Sequence, residues 1–294
     1  MTTRRIFLFG TTALLGVGCS GSVALARPLQ DLKSKISRIE SRVKGRLGVA
    51  VLDTGSDRRF GYRKDERFPM CSTFKLMAAA AILKRVEQGQ ETLERRVHFS
   101  QSDLVTYSPA TEKHLESGMT VAELCEAAIT LSDNTAGNLM LGMLGGPPGV
   151  TAFARALGDP LTRLDRTELA LNEAVPGDPR GTTTPAAMAE DLRKLMFGGA
   201  LAKASSEQLK AWLLANKTGD ARLRARLPAG WRVGDKTGSG ERGSTNDVGI
   251  LWPPDAAPLI AAVYLTQTAA SMNERNEALA AVGEAVAAAF RGHS

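Results

Sequence analysis

Residues 72–87 constrain the fold more than any other part of the chain. Their spacing reads as a helix that is apolar on nearly every side, with Phe74, Leu76, Met77, Ala78 to Ala81, Ile82, Leu83 and Val86. A helix without a polar face must be surrounded by protein, so this one is expected to run through the centre of the molecule. The rest of the chain has to cover it. Helical patterns follow at 120–130, 136–143, 150–157, 185–196 and 205–214. Strand patterns lie only towards the two ends, at 47–52 and 58–62 and again at 231–237, 247–252 and 259–266. Asp53-Thr54-Gly55-Ser56 reads as the turn between the first two. Two strands alone would be marginal, so the ends must pair into one sheet. Amphipathic helices flank it at 31–44, with Leu32, Ile36, Ile39 and Val43, and at 273–290, with Leu279, Val282, Val286 and Phe290. The expected organisation is an α/β lobe made from 27–66 and 215–294, with 67–214 inserted as an all-helical lobe. Clefts between lobes are favoured ligand sites.

Residues 1–26 read as an export signal. Arg4-Arg5 is followed by a largely apolar run, 6–17, and by Ala24-Leu25-Ala26 as a cleavage signal. Thr3 to Leu8 also fits a twin-arginine signal, with a general secretory signal as the alternative. The mature protein is then expected in the periplasm or outside the cell. Cys19 is a poor lipid-attachment site because Gly16 stands where a larger aliphatic residue is usual. The apolar run is too short and broken to anchor in a membrane, and no stable membrane association is expected.

The net charge of +6 is scattered, with no basic block interleaved with aromatics, which argues against a nucleic-acid partner. His98, His114 and His293 are too isolated for a zinc site, and no metal or cofactor is expected. Cys71 and Cys125 form no C-x-x-C pattern and are expected to be buried free thiols.

Ser72-Thr73-Phe74-Lys75 opens the buried helix. A spacing of three puts both side chains on one face, and the helix start adds free N–H groups and positive potential beside Ser72. A serine hydroxyl needs a base to become nucleophilic, and a buried lysine can serve if burial depresses its pKa. Ser132-Asp133-Asn134 taken alone would pass for a helix cap, and Lys236-Thr237-Gly238 for a strand end. Glu168-Leu169-Ala170-Leu171-Asn172 offers a carboxylate and an amide that could hold a water, with Glu168 as general base; alone it would pass for a solvated loop. A phosphate loop is excluded because Asp235 separates Gly234 from Lys236. A Ser/His/Asp triad lacks both a G-x-S-x-G elbow and histidines.

Together, in this order and at these intervals, S-x-x-K, S-D-N and K-T-G resemble the signature of the penicillin-recognising serine hydrolases. The E-x-x-L-N loop resembles the class A serine β-lactamases within that group. The resemblance covers essentially the whole mature chain. It implies an α/β fold of the α+β type, with an antiparallel five-stranded sheet flanked by helices and an inserted helical lobe. It implies hydrolysis of penicillin- or cephalosporin-type β-lactams by a monomer, without a cofactor. Carried over residue by residue, it makes Ser72 the nucleophile and Lys75, or Glu168 through water, the acylation base. Ser132 relays a proton to the leaving nitrogen, and Glu168 activates the deacylating water. Backbone N–H groups of Ser72 and Ser239 form the oxyanion hole. Asn134, Asn172, Lys236, Thr237, Gly238, Ser239 and Arg222 bind substrate, and Tyr107 lines the mouth. Two departures stand out. Leu169 follows the loop glutamate where many relatives have Pro, which raises the question of a cis Glu168–Leu169 bond. Gly181 stands where relatives commonly pair an aspartate with Arg166, leaving Asp165 or Asp178 as its expected partner. The resemblance also admits a penicillin-binding peptidase, an esterase or a sensor that acylates and stops, although none of these needs Glu168 and Asn172.

Overall fold

The computed structural model describes residues 21–290; Arg4, Arg5, Cys19 and His293 lie outside the described residues, as does most of the expected export signal. In chain order the elements are α1 (Gly21–Val43), β1 (Arg46–Asp53), β2 (Arg59–Tyr62), β3 (Phe68–Pro69), α2 (Phe74–Glu87), β4 (Arg96–Val97) and β5 (Met119–Thr120). Then come α3 (Val121–Thr130), α4 (Asn134–Met143), α5 (Pro147–Ala156), β6 (Thr182–Thr183), α6 (Pro185–Phe197) and α7 (Lys203–Leu214). The chain closes with β7 (Arg232–Ser239), β8 (Thr245–Trp252), β9 (Leu259–Thr266) and α8 (Met272–Phe290).

The two ends pair into one antiparallel five-stranded sheet of order β2-β1-β9-β8-β7. Successive side chains point to opposite faces, so each strand serves two cores. Val49 and Val51 of β1 and Val263 of β9 pack with Leu32, Ile36, Leu279, Val282 and Val286 of α1 and α8. Ala50, Leu52, Val248, Ile250 and Ala262 face the other way, into a larger core built around α2. There α6 packs directly on β1 and β9. Every residue of α2 from Phe74 to Leu83 is buried, as its all-round apolar sequence requires.

Local signals set the helix starts near the site. Thr120 and Glu123 cap α3 reciprocally. Asp133 caps α4 by accepting the Ala136 N–H at 2.8 Å, and Thr184 caps α6 ahead of Pro185. One expected boundary is corrected. The α-helix starts at Phe74, not Ser72, and Cys71–Thr73 form a 3-10 turn. The Thr73 N–H and hydroxyl both donate to the Met70 carbonyl, at 3.2 and 2.8 Å, which closes the first turn on i+3. Cys71 and Cys125 are buried free thiols, and burial pushes the Cys71 thiol up to about 12, so it stays protonated and unreactive. Among the described residues, no helix is long and apolar enough to cross a membrane.

Candidate active site

Four segments deliver the motif residues to one place. The turn into α2 brings Ser72 and Lys75, and the start of α4 brings Ser132 and Asn134. The loop between α5 and β6 brings Glu168 and Asn172, and the end of β7 brings Lys236 to Ser239. Ser72 Oγ lies 2.9 Å from Lys75 Nζ and 2.9 Å from Glu168 Oε1. Lys75 Nζ closes the triangle at 3.0 Å from Glu168 Oε1, and also donates to the Ser132 carbonyl at 2.9 Å and to Asn134 Oδ1 at 2.7 Å. Lys236 Nζ donates to Ser132 Oγ at 3.0 Å and to the Thr237 carbonyl at 2.9 Å. Ser72, Lys75, Asn134, Glu168, Lys236 and Thr237 are buried, Ser132 and Asn172 are half-buried, and Ser239 is exposed.

Backbone conformation and small residues make the convergence possible. Cys71, Tyr107 and Ser132 have positive φ of 46°, 66° and 60°, a region costly for non-glycine residues and concentrated at functional sites. A Cβ at Gly137 would lie 2.7 Å from Lys75 Cε, so a side chain there would push the lysine stem from its place beside α4. A Cβ at Gly238 would lie 2.8 Å from the Met70 carbonyl, so glycine lets β7 approach the nucleophile turn. Asp133 works behind the site: its carboxylate accepts the N–H groups of Ala110 and Thr111 at 3.0 Å besides capping α4. The S-D-N tripeptide is thus a helix cap as well as part of the constellation.

The Glu168 loop is held by a residue that sequence inspection passed over. Asn138 Nδ2 donates to the Glu168 carbonyl at 3.0 Å, and Asn138 Oδ1 accepts the Glu168 N–H at 2.9 Å. Its signal was its position, one helical turn after Asn134 on α4. Asn172 Nδ2 donates to Glu168 Oε2 at 2.6 Å, whereas its buried Oδ1 has no partner among the described residues. The Glu168–Leu169 peptide bond is cis. Arg166 pairs chiefly with Glu173 at 2.5 Å and reaches Asp178 only at 3.8 Å. Asp165, the other expected partner, is occupied by Arg163 and by the Gly181 N–H.

Arg222 is buried behind β7. It donates to the Gly238 carbonyl at 2.9 Å, the Asn246 carbonyl at 2.7 Å and Ser239 Oγ at 2.7 Å. Thr237 Oγ1 lies 2.5 Å from Thr218 Oγ1, a second residue that sequence inspection passed over. Tyr107 holds Asn134 through its backbone, accepting the Asn134 N–H at 3.0 Å, and its side chain is exposed.

Burial depresses the pKa of Lys75 below the ordinary lysine value, and the nearby Glu168 carboxylate opposes the shift. Burial drives Lys236 well below that value, with Lys75 and Arg222 adding repulsion. Arg222 is lowered by burial and supported by the charges of Asp247 and Asp235. Among the described residues no group of three or more His, Cys, Asp or Glu side chains is placed to hold a metal ion.

A sequence model of the Beta-lactamase enzyme family matches residues 31–290. The chain is 54% identical to β-lactamase OXY-1 of Klebsiella oxytoca over 283 residues, covering 96% of this chain and 97% of the relative. It is 50% identical to β-lactamase CTX-M-8 of Citrobacter amalonaticus, with the same coverage of 96% and 97%. Among solved structures, a class A β-lactamase of the last common ancestor of Gram-negative bacteria superposes with a TM-score of 0.87 at 62% identity. That match covers 88% of this chain and 99% of the ancestral one.

Proposed function

The chain belongs to the class A β-lactamases, and on that premise we propose that it hydrolyses penicillin- and cephalosporin-type β-lactams through an acyl-enzyme on Ser72, released by water that Glu168 activates. One observation carries this reading: the buried triangle in which Ser72 Oγ touches both Lys75 Nζ and Glu168 Oε1.

The hydrogen bonds order the proton transfers. Lys75 donates to Ser72 Oγ, so the serine proton points to Glu168 Oε1. Lys75 can become a base only after passing a proton on, and Glu168 is the acceptor beside it. With the carboxylate in place, either acylation route can therefore draw on Glu168. Attack on the lactam carbonyl builds an oxyanion between the backbone N–H groups of Ser72 and Ser239, where losing one donor typically costs about 2.7–4 kcal/mol in rate. Ser132 then gives its proton to the departing ring nitrogen beside Lys236, 3.0 Å away, and the proton that Glu168 took from Ser72 returns through Lys75 to refill Ser132, which leaves Glu168 a carboxylate again. For release, Glu168 Oε2 and the unpartnered Asn172 Oδ1 lie together as acceptors for one water, which Glu168 deprotonates for attack on the ester.

Asn134 presents its amide to the substrate's side-chain amide, and Tyr107 walls the mouth. Lys236, Thr237, Gly238 and Ser239 receive the substrate carboxylate, with Arg222 supplying the second cation through Ser239. Arg222→Ala is expected to raise KM for a penicillin about tenfold, the equivalent of one lost charge-assisted bond, with a smaller loss in kcat. Steady-state kinetics beside a melting curve check this, since Arg222 also ties β7 to β8.

Residues 27–66 and 215–294 make the α/β lobe in this reading, and 67–214 the helical lobe, with the site between them. The Arg4-Arg5 leader supports export to the periplasm or medium by the twin-arginine or general secretory route, and the enzyme acts as a monomer without a cofactor. Turnover of a chromogenic cephalosporin tests the whole reading. Many turnovers per enzyme, insensitive to a chelator, are expected. A single stoichiometric burst would instead indicate a transpeptidase or a sensor.

A further inference from the structure

Asp191 lies on α6 with no exposed surface, and neither of its carboxyl oxygens meets a protein donor. A buried carboxylate left this way would bear its full desolvation cost. The acid beside it is Asp159, also buried, on a segment that Lys194 of the same helix holds by donating to the Leu157 carbonyl at 2.7 Å. Two carboxylates cannot bond to each other, so one must hold a proton. The two acids are not equivalent. Asp159 is already committed as an acceptor, taking the Leu161 N–H at 2.6 Å and the Thr162 N–H at 3.1 and 3.2 Å. Asp191 receives no such bond, so the proton belongs to Asp191.

We infer that Asp191 is a neutral carboxylic acid that donates to Asp159 and so acts as a positioning residue for the Glu168 loop. Asp159 stands at the root of that loop. Arg155 holds the carbonyls of Asp159 and Thr162 at 2.5 and 2.8 Å. Thr162 Oγ1 bonds Thr183 Oγ1 at 2.6 Å, and the Arg163 N–H reaches the Thr182 carbonyl at 3.0 Å. The Asp159–Asp191 contact ties this root to α6, and so to the sheet. The other ionisable groups around Asp191 are Lys194 and Glu190 on α6 and Tyr264 on β9. Lys194 Nζ is already committed to the Leu157 carbonyl at 2.7 Å. The remaining elements packed on α6 contribute apolar side chains to the same core: Ala50 and Leu52 from β1, Val248 and Ile250 from β8, and Leu209 and Trp212 from α7.

Burial, then the neighbouring Asp159 charge, pushes the Asp191 carboxyl up to about 8. The folded protein therefore holds a proton that the unfolded chain has lost. Stability from this group is greatest at low pH, declines as pH rises from the ordinary carboxyl range to about 8, and levels off above. The loop, which senses only the native state, is disturbed only above about 8, when two carboxylates confront each other.

This inference rests on the acyl-enzyme reading, and the test keeps the two apart. Decay of the acyl-enzyme is followed by intact mass in wild type, Asp191→Asn and Asp191→Ala, from about pH 6 to about pH 9.5. The asparagine amide keeps a donor for Asp159 at every pH. Its decay constant is expected to match wild type near neutrality and to exceed it about threefold or more at about pH 9. The melting-temperature gain of Asp191→Asn should grow from about pH 4 to about pH 8 and then level. Alanine, which supplies no donor, should decay more slowly than asparagine by the same ratio at every pH, so that wild type departs from it only below about pH 8. Superimposable wild-type and asparagine profiles, or an offset equal at all pH, would overturn the positioning role. If no acyl-enzyme forms in wild type at any pH, it is the acyl-enzyme reading that fails.

Discussion

Ser72→Ala is expected to lower kcat for a cephalosporin by roughly 10⁶-fold and to abolish every covalent adduct, by comparison with nucleophile removal in other serine hydrolases. The size of the effect follows from the local arrangement. Ser72 Oγ is the atom on which Lys75 and Glu168 converge, and without it neither has a hydroxyl to activate for attack. The fold should survive the change. Lys75 retains the Ser132 carbonyl, Asn134 Oδ1 and the Glu168 carboxylate as partners, so no buried charge is orphaned. A melting temperature within a few degrees of wild type, with substrate still bound in a competition assay, separates loss of the nucleophile from loss of the fold.

Glu168→Ala should divide the reaction in two. Loss of a positioned general base typically costs about 10² to 10⁴ in rate, and that loss is expected in deacylation. Acylation should be spared by comparison, for an electrostatic reason. The Glu168 charge opposes the burial that lowers the Lys75 pKa. Removing the carboxylate lets burial act alone, so Lys75 moves towards the neutral amine, which can take the serine proton itself. Stopped-flow traces should therefore show a burst of about one equivalent followed by a near halt, where wild type runs on. Loss of the burst together with turnover would mean that Lys75 cannot replace Glu168 in acylation.

Elements that bury one continuous face were legible in the sequence. The strand pattern at 259–266 coincides with β9, and the all-round apolar run coincides with α2. The need for the two chain ends to pair is met by β1 lying between β2 and β9. The motif residues were legible because each carries a functional group that its neighbours lack. What stayed hidden depends on distances between segments. The pairing of β3 with β6 is only a two-residue bridge, too short to leave a periodicity, yet it ties the end of the Glu168 loop to the segment before the nucleophile turn. Asn138 reads as one more polar residue on α4 until its side chain is seen holding both backbone groups of Glu168. Of the two acids expected to meet Arg166, Asp178 does so at 3.8 Å, but the nearer partner, Glu173, is set by the course of the loop and not by sequence position. In the fold Asp165 turns to Arg163, and Glu173 comes round to meet Arg166. Asp191 looks like part of the polar face of an amphipathic helix; only the packing of α6 against the sheet shows that it is sealed from water.

The most direct measurement is an intact-mass spectrum, with peptide mapping, of Glu168→Ala protein mixed with a cephalosporin. The expected result is a persistent covalent adduct at Ser72, absent from the Ser72→Ala, Glu168→Ala double variant and transient in wild type. An adduct on another residue would contradict Ser72 as the nucleophile, and a single variant that binds the cephalosporin yet stays unmodified would contradict a role for Glu168 confined to release.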